Sequence, residues 1–146
     1  KVILAGRETN DNMAKWVVNE ILLECRKRNL LTKIIKIMIL GITFKENCPD
    51  FRNTLIVDIL RRLEEYPFDI TIVDPIVNKQ KIKKALNYDV LNDIPLDDKF
   101  NIVLCAVAHD NFKILGKQAW LKMLNNDGFF FDIKGVIPKE INPIRI

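Results

Sequence analysis

Between Gly41 and Thr54 the chain reads GITFKENCPDFRNT, and Lys45, Glu46, Asp50 and Arg52 put four charges into that one stretch. A lysine and an arginine held together can make charge-assisted hydrogen bonds to phosphate oxygens, stronger than bonds between neutral groups. Other polar residues stand at the ends of apolar runs: Asp74 before Pro75, His109 and Asp110 after IVLCAVA, and Asp132 and Lys134 around the end of GFFFDIK. The chemistry this set suggests is the holding of a small polyanion.

Metal and thiol chemistry have less support. Cys25, Cys48 and Cys105 form no CxxC pair, and His109 is the only histidine, which excludes the common zinc patterns. Cys25, near a helix end, and Cys105, in an apolar strand, read as packing residues rather than nucleophiles. Cys48 lies in the charged turn without a base at a useful spacing. The net charge is +4 over 146 residues, with lysines and arginines scattered among carboxylates, so composition does not point to nucleic acid. No apolar run approaches the ~20 residues of a membrane span, no signal peptide opens the chain, and the expected location is cytoplasmic.

The elements that must position these residues follow from periodicity. NDNMAKWVVNEILLECRKRN predicts a helix over 10–29, with Asn10 and Asp11 as cap and first-turn acid. Its apolar stripe of Met13, Val17 and Ile21 lies beside Ala14, Val18, Leu22 and Cys25. Then come a strand at 34–40, the charged turn, a helix at 55–66, a strand at 69–74, a basic surface helix at 78–86, a strand at 100–107, a helix at 112–124 and a strand at 128–133. Strands alternating with helices imply an α/β, Rossmann-like three-layer domain with a mostly parallel sheet. Ligands of such sheets collect at the carboxyl ends of the strands, where Lys45, Asp50, Arg52, Asp74, His109, Asp110, Asp132 and Lys134 fall.

A dinucleotide on this sheet would need a GxGxxG turn after the first strand, and that turn is missing; bulky side chains occupy its place. Asp74 could in principle hold a ribose, but an Asp-Pro pair reads more simply as a turn start.

Taken together, GITFKENCPDFRNT, VDP, AVAHDNF and FDIKGV resemble, in order and spacing, the C-terminal domain of the UDP-glucose/GDP-mannose dehydrogenase family. AGRETNDNM and its helix are similar to the end of that family's central, dimer-forming segment. The resemblance divides the chain into residues 1–32, the end of the central segment, and 33–146, a C-terminal UDP-sugar-binding domain. AVAH and FDIKG look most like the branch that oxidises UDP-N-acetylhexosamines. The resemblance implies oxidation of a C6 alcohol to a uronic acid with two NAD, through a cysteine-bound thiohemiacetal and thioester. It also implies an N-terminal domain that binds NAD and a catalytic cysteine in a GGxC motif. Neither motif is in this sequence, so the chain is expected to be a fragment, inactive alone, that supplies UDP-sugar contacts and a homodimer interface through the 10–29 helix.

By the same resemblance Lys45 is a substrate contact, Asp50 and Arg52 either meet the ligand or brace the loop, and Lys134 stands where many relatives carry a substrate-binding arginine. An ammonium cannot reproduce the arginine fork, so charge is transferred without its geometry. Phe44 reads as a hydrophobic plug beneath the turn rather than a base-stacking group. Arg7 and Asn10 match a motif near substrate or dimer contact. His109 reads as a local cap or turn residue rather than an acid-base group. The other function classes are a nucleotide-binding regulator and an assembly module, both without catalysis.

Overall fold

Helices of eight or more residues on one side of a sheet and two of four and five residues on the other set the shape of this chain. The computed structural model describes residues 2–52 and 54–145, with side chains described from Asp11 onward. Helix α1 (Val2–Lys27) leads into β1 (Ile35–Leu40), α2 (Leu55–Leu63), β2 (Phe68–Val73), α3 (Lys79–Leu86), β3 (Val90–Leu91) and β4 (Phe100–Cys105). Two short helices, α4 (Asp110–Lys113) and α5 (Lys117–Leu121), precede β5 (Leu124–Asp132) and β6 (Ile144–Arg145).

Among the described residues the strands form one sheet in the order β3-β2-β1-β4-β5-β6, and every pairing is parallel. Chain order reverses between β1 and β4, which makes their carboxyl ends the switch point of a doubly wound fold. Alternation along β1 sends Ile35, Ile37 and Ile39 into the core under α1, α2 and α3, and Met38 and Leu40 into the core under α4 and α5. Strand β5 does the same with Phe129 and Phe131 on one face and Phe130, edge-on to Trp120, on the other.

Local chemistry fixes the helix ends. Thr54 accepts the Val57 N–H at 3.2 Å and starts α2; Asn78 accepts the Lys81 N–H at 3.0 Å and starts α3. Helix α1 stops where Asn29 turns left-handed (φ 58°) and the Leu30 N–H returns to the Cys25 carbonyl, a Schellman-type closure.

Four expectations are corrected. Helix α1 begins at Val2, so Asn10 and Asp11 lie inside it rather than at its cap. The apolar stripe of α1 does not look outward: Ala14, Val17, Val18, Ile21 and Cys25 are buried in the chain's own core, and Val17 has no exposed surface. Its outer face instead shows Met13, Trp16 (41% exposed) and Leu23. The helix expected over 112–124 is broken, because Gly116 adopts an extended conformation (φ −76°, ψ 164°) that ends α4's segment and starts α5. Finally, β5 begins at Leu124 rather than 128, and β3 and β6 join as two-residue edge strands.

Candidate functional site

The charged turn leaves β1 through Gly41, and only glycine fits there. Its φ is 99°, and a Cβ would stand 2.5 Å from the Cβ of Val107, two residues past the end of β4. This close approach joins the two loops of the switch point. Past it, Ile42 and Thr43 are buried, and the chain surfaces at Phe44, Lys45 and Glu46.

A buried polar network holds the turn down. The Asp74 carboxylate, at the end of β2, accepts the Ile42 N–H at 2.8 Å on Oδ2, and the Ile76 and Val77 N–H groups at 2.9 and 3.1 Å on Oδ1. His109 Nε2 lies 3.0 Å from Asp74 Oδ2 and 3.2 Å from Thr43 Oγ1, while Nδ1 accepts the Asn47 N–H at 2.9 Å. An Nδ1 that accepts leaves the ring hydrogen on Nε2, so His109 donates to Asp74 and Thr43. The Thr43 hydroxyl in turn donates to the Lys45 carbonyl at 3.1 Å. Burial raises the Asp74 pKa, but the bonds from His109, Ile42 and Ile76 more than offset this and hold it below the usual carboxylate range.

Asn47 completes the hold. It sits in the left-handed region (φ 58°), which asparagine tolerates better than most residues, and its Oδ1 accepts the Asp110 N–H at 3.1 Å. The Phe44 N–H closes the base of the turn on the Asp50 carbonyl at 2.7 Å. Asp50 then takes the Arg52 backbone N–H and a two-point contact from its guanidinium, at 3.0 Å from Nε and 2.9 Å from Nη2. That hydrogen bonding holds the Asp50 carboxyl at about 2. Of the two roles left open for this pair, bracing the loop is the one the geometry supports.

Asp74 is a turn residue, as its Asp-Pro context suggests, and also far more than that. His109 is corrected: it occupies the N-cap position of α4 without a capping bond, and its ring is spent on residues 35 to 66 positions away. Phe44 is corrected as well, since at 65% exposure it plugs nothing. Lys45 is exposed and has no carboxylate within ion-pair distance among the described residues. Lys134 is likewise exposed, on a loop folded by Asp132, whose oxygens accept the Gly135, Val136 and Ile137 N–H groups at 2.9–3.1 Å. Strands β1 and β5 flank β4, so the loops carrying Lys45 and Lys134 leave the sheet roughly 10 Å apart, two strand spacings. The side chains of Arg7 and Asn10 lie outside the described residues.

Three residues escaped the sequence reading in these roles: Asn47, Asp132 as organiser of its loop, and Arg145, whose Nε lies 3.3 Å from Asp132. The signal for Asn47 was an asparagine inside a tight polar turn, where a left-handed residue is needed.

The two buried thiols, Cys25 and Cys105, do not favour nucleophilic chemistry. Burial pushes Cys25 up to about 12 and pushes Cys105 further still, which keeps both protonated. No metal-binding cluster of His, Cys, Asp or Glu occurs among the described residues, and no helix there is long and apolar enough to cross a membrane.

The family model described as the UDP-binding domain of the UDP-glucose/GDP-mannose dehydrogenase family matches residues 38–139, from β1 to the turn after β5. The chain belongs to that family. Protein CapL of Staphylococcus aureus is 38% identical over 140 residues, covering 96% of this chain and 32% of that protein. The UDP-N-acetyl-D-glucosamine 6-dehydrogenase of Salmonella typhi is 31% identical over 146 residues, covering 100% of this chain and 34% of that protein. In fold, the chain is similar to the NDP-N-acetyl-D-galactosaminuronic acid dehydrogenase of Methanosarcina mazei Go1. There the TM-score is 0.76 over 97% of this chain and 29% of that one, at 16% identity. The chain therefore spans about a third of the length of these relatives.

Within this family domain the sheet does not suit a dinucleotide. The switch-point crevice is filled by Thr43, His109 and Asp74, all fully buried, and each oxygen of Asp74 already accepts two hydrogen bonds. That carboxylate has no lone pair to offer a ribose.

Proposed function

We propose that this chain is the UDP-sugar-binding third of a nucleotide-sugar dehydrogenase, one that oxidises the C6 alcohol of a UDP-N-acetylhexosamine to the uronic acid with two NAD. The observation that carries the reading is Lys45: an exposed ammonium on a turn whose backbone is bonded at Phe44, Lys45, Asn47 and Asp50, inside the segment matched by the UDP-binding family model. A charged group on a fixed support meets a pyrophosphate without first losing loop entropy. Lys134, on the far side of β4, offers a second positive charge to the same face, and Arg52 braces the turn while keeping an exposed edge. The names of relatives such as the Salmonella typhi enzyme support the N-acetylhexosamine branch.

NAD supplies hydride acceptance and is held by the part of the whole protein outside this chain, since the sheet described above does not fit it. The nucleophilic thiol is also assigned to that part. Residues 1–32 act as the end of a central helical segment and 33–146 as the UDP-sugar domain; the outer face of α1, with Met13, Trp16 and Leu23, forms a homodimer contact in the cytoplasm.

The test is a calorimetric titration of the chain with UDP. Saturable binding is expected, weakened about tenfold to a hundredfold in Lys45→Ala, the equivalent of losing one charge-assisted hydrogen bond. The variant's melting temperature is expected to match the parent's, because an exposed lysine contributes little to folding. A parent that shows no saturable signal favours a pure assembly module, and a Lys45→Ala variant that binds like the parent removes this turn as the phosphate site.

A further inference from the structure

The substrate-facing turn and the β4 loop hold each other through a reciprocal pair of bonds. His109 Nδ1 accepts the backbone N–H of Asn47 at 2.9 Å, and the side chain of Asn47 accepts the backbone N–H of Asp110 at 3.1 Å. Each loop thus gives one backbone donor and one side-chain acceptor. Lys45 sits two residues before this clasp, and its own carbonyl is fixed by the Thr43 hydroxyl, whose oxygen faces His109 Nε2 at 3.2 Å.

We infer that His109 and Asn47 are positioning residues for UDP-sugar binding, acting through Lys45, and that the two nitrogens of the His109 ring divide the work. Nδ1 sets the tip of the turn, while Nε2 satisfies the buried Asp74 carboxylate and serves folding. This rests on the reading of Lys45 as the phosphate contact. The physical ground is that Asn47 is exposed and left-handed, so its bonds remove little apolar surface from water and gain little for the core; what they do is restrict where Lys45 can be.

The ring's two functions can be separated by side-chain length. In His109→Gln the terminal amide reaches the position of Nε2 and can still donate to Asp74 and Thr43, but nothing accepts the Asn47 N–H. In His109→Asn an oxygen stands near the position of Nδ1 and can take that N–H, but Asp74 Oδ2 loses one of its two donors and keeps only the Ile42 N–H. With UDP as titrant, His109→Gln is expected to bind about three- to tenfold more weakly than the parent at a nearly unchanged melting temperature. His109→Asn is expected to bind within about twofold of the parent while melting several degrees lower. Asn47→Gly, which keeps the left-handed backbone and its N–H but removes the bond to Asp110, leaves the core untouched and is expected to weaken UDP by about threefold.

The inference is overturned if His109→Asn binds UDP no more tightly than His109→Gln, or if Asn47→Gly binds as the parent does. A parent chain that shows no UDP binding removes the underlying reading of Lys45 and this inference with it. A parent that binds together with unchanged variants removes the inference alone.

Discussion

Replacing Asp74 by asparagine changes one atom's chemistry and should reach most of the carboxyl edge of the sheet. The asparagine oxygen can keep the Ile76 and Val77 N–H groups, now at 2.9 and 3.1 Å. Its NH₂ group then faces the Ile42 N–H, 2.8 Å from the present Oδ2, and His109 Nε2 at 3.0 Å. Both are donors. The ring cannot escape by moving its hydrogen to Nδ1, because Nδ1 would then meet the Asn47 N–H. The buried Ile42 N–H loses its acceptor and His109 Nε2 keeps only the longer contact to Thr43 Oγ1 at 3.2 Å while facing a second donor, at about 1–3 kcal/mol each, and partial relaxation leaves a net cost of roughly 2–4 kcal/mol. For a chain of this size that lowers the melting temperature by ~6–15 °C, measured by circular dichroism. The pH dependence carries a sign. The folded-state pKa of Asp74 is depressed, so the ionised carboxylate adds stability that is present above the unfolded value of about 3.9 and is lost as pH falls through the folded value. The gap between parent and Asp74→Asn should therefore be full at pH 6 and close as pH drops below about 4. A variant that melts within about 2 °C of the parent at pH 6, or a gap that stays constant down to pH 3, would refute the network as drawn.

Two further outcomes are expected. Gly41→Ala should destabilise the chain by about 2–4 kcal/mol, combining positive-φ strain with overpacking. Adding Val107→Ala should not rescue it in thermal melts, since the clash is with the Val107 Cβ at 2.5 Å and its nitrogen at 3.0 Å. If α1 forms the homodimer contact, Trp16→Glu should shift the sedimenting species toward monomer with intact folding; an unchanged mass would reject that face. Val17→Glu, by contrast, would unfold the core and report nothing about assembly.

What could be read from the sequence followed from the range of the forces involved. Strands β1 and β4 and the Phe129–Phe131 run of β5 declare themselves by apolar side chains buried on both faces, β2 by its alternation of Phe68, Ile70 and Ile72 with Asp69 and Thr71, and α2 and α3 by helical spacing behind Thr54 and Asn78. The break between α4 and α5 was hidden because Phe112, Leu115, Ala119, Trp120 and Met123 keep helical spacing across Gly116, so the pattern outvoted one glycine. Edge strands of two residues have no period to detect. The charged turn was visible as a place where chemistry gathers, yet the partners that hold it were not, because Asp74 and His109 lie 35 positions apart and Asn47 and His109 lie 62 apart. Each reads locally as a turn residue, and only the switch in strand order brings them together.

That switch also governs the order in which the chain can be completed. Strand β1 sits at the middle of the sheet, and it can take β2 as a neighbour early, but its other edge pairs Leu40 with Cys105, some 65 residues further on. At ordinary translation speeds of about 5–20 residues per second, the ribosome needs roughly 3–13 s to make that intervening stretch. For that time Ile37, Met38, Ile39 and Leu40 have one bare flank, so an almost wholly apolar strand depends on what shields it during synthesis. The loop that grips the charged turn arrives with the same late segment, so nascent chains acquire their sheet centre and their ligand face in a single step.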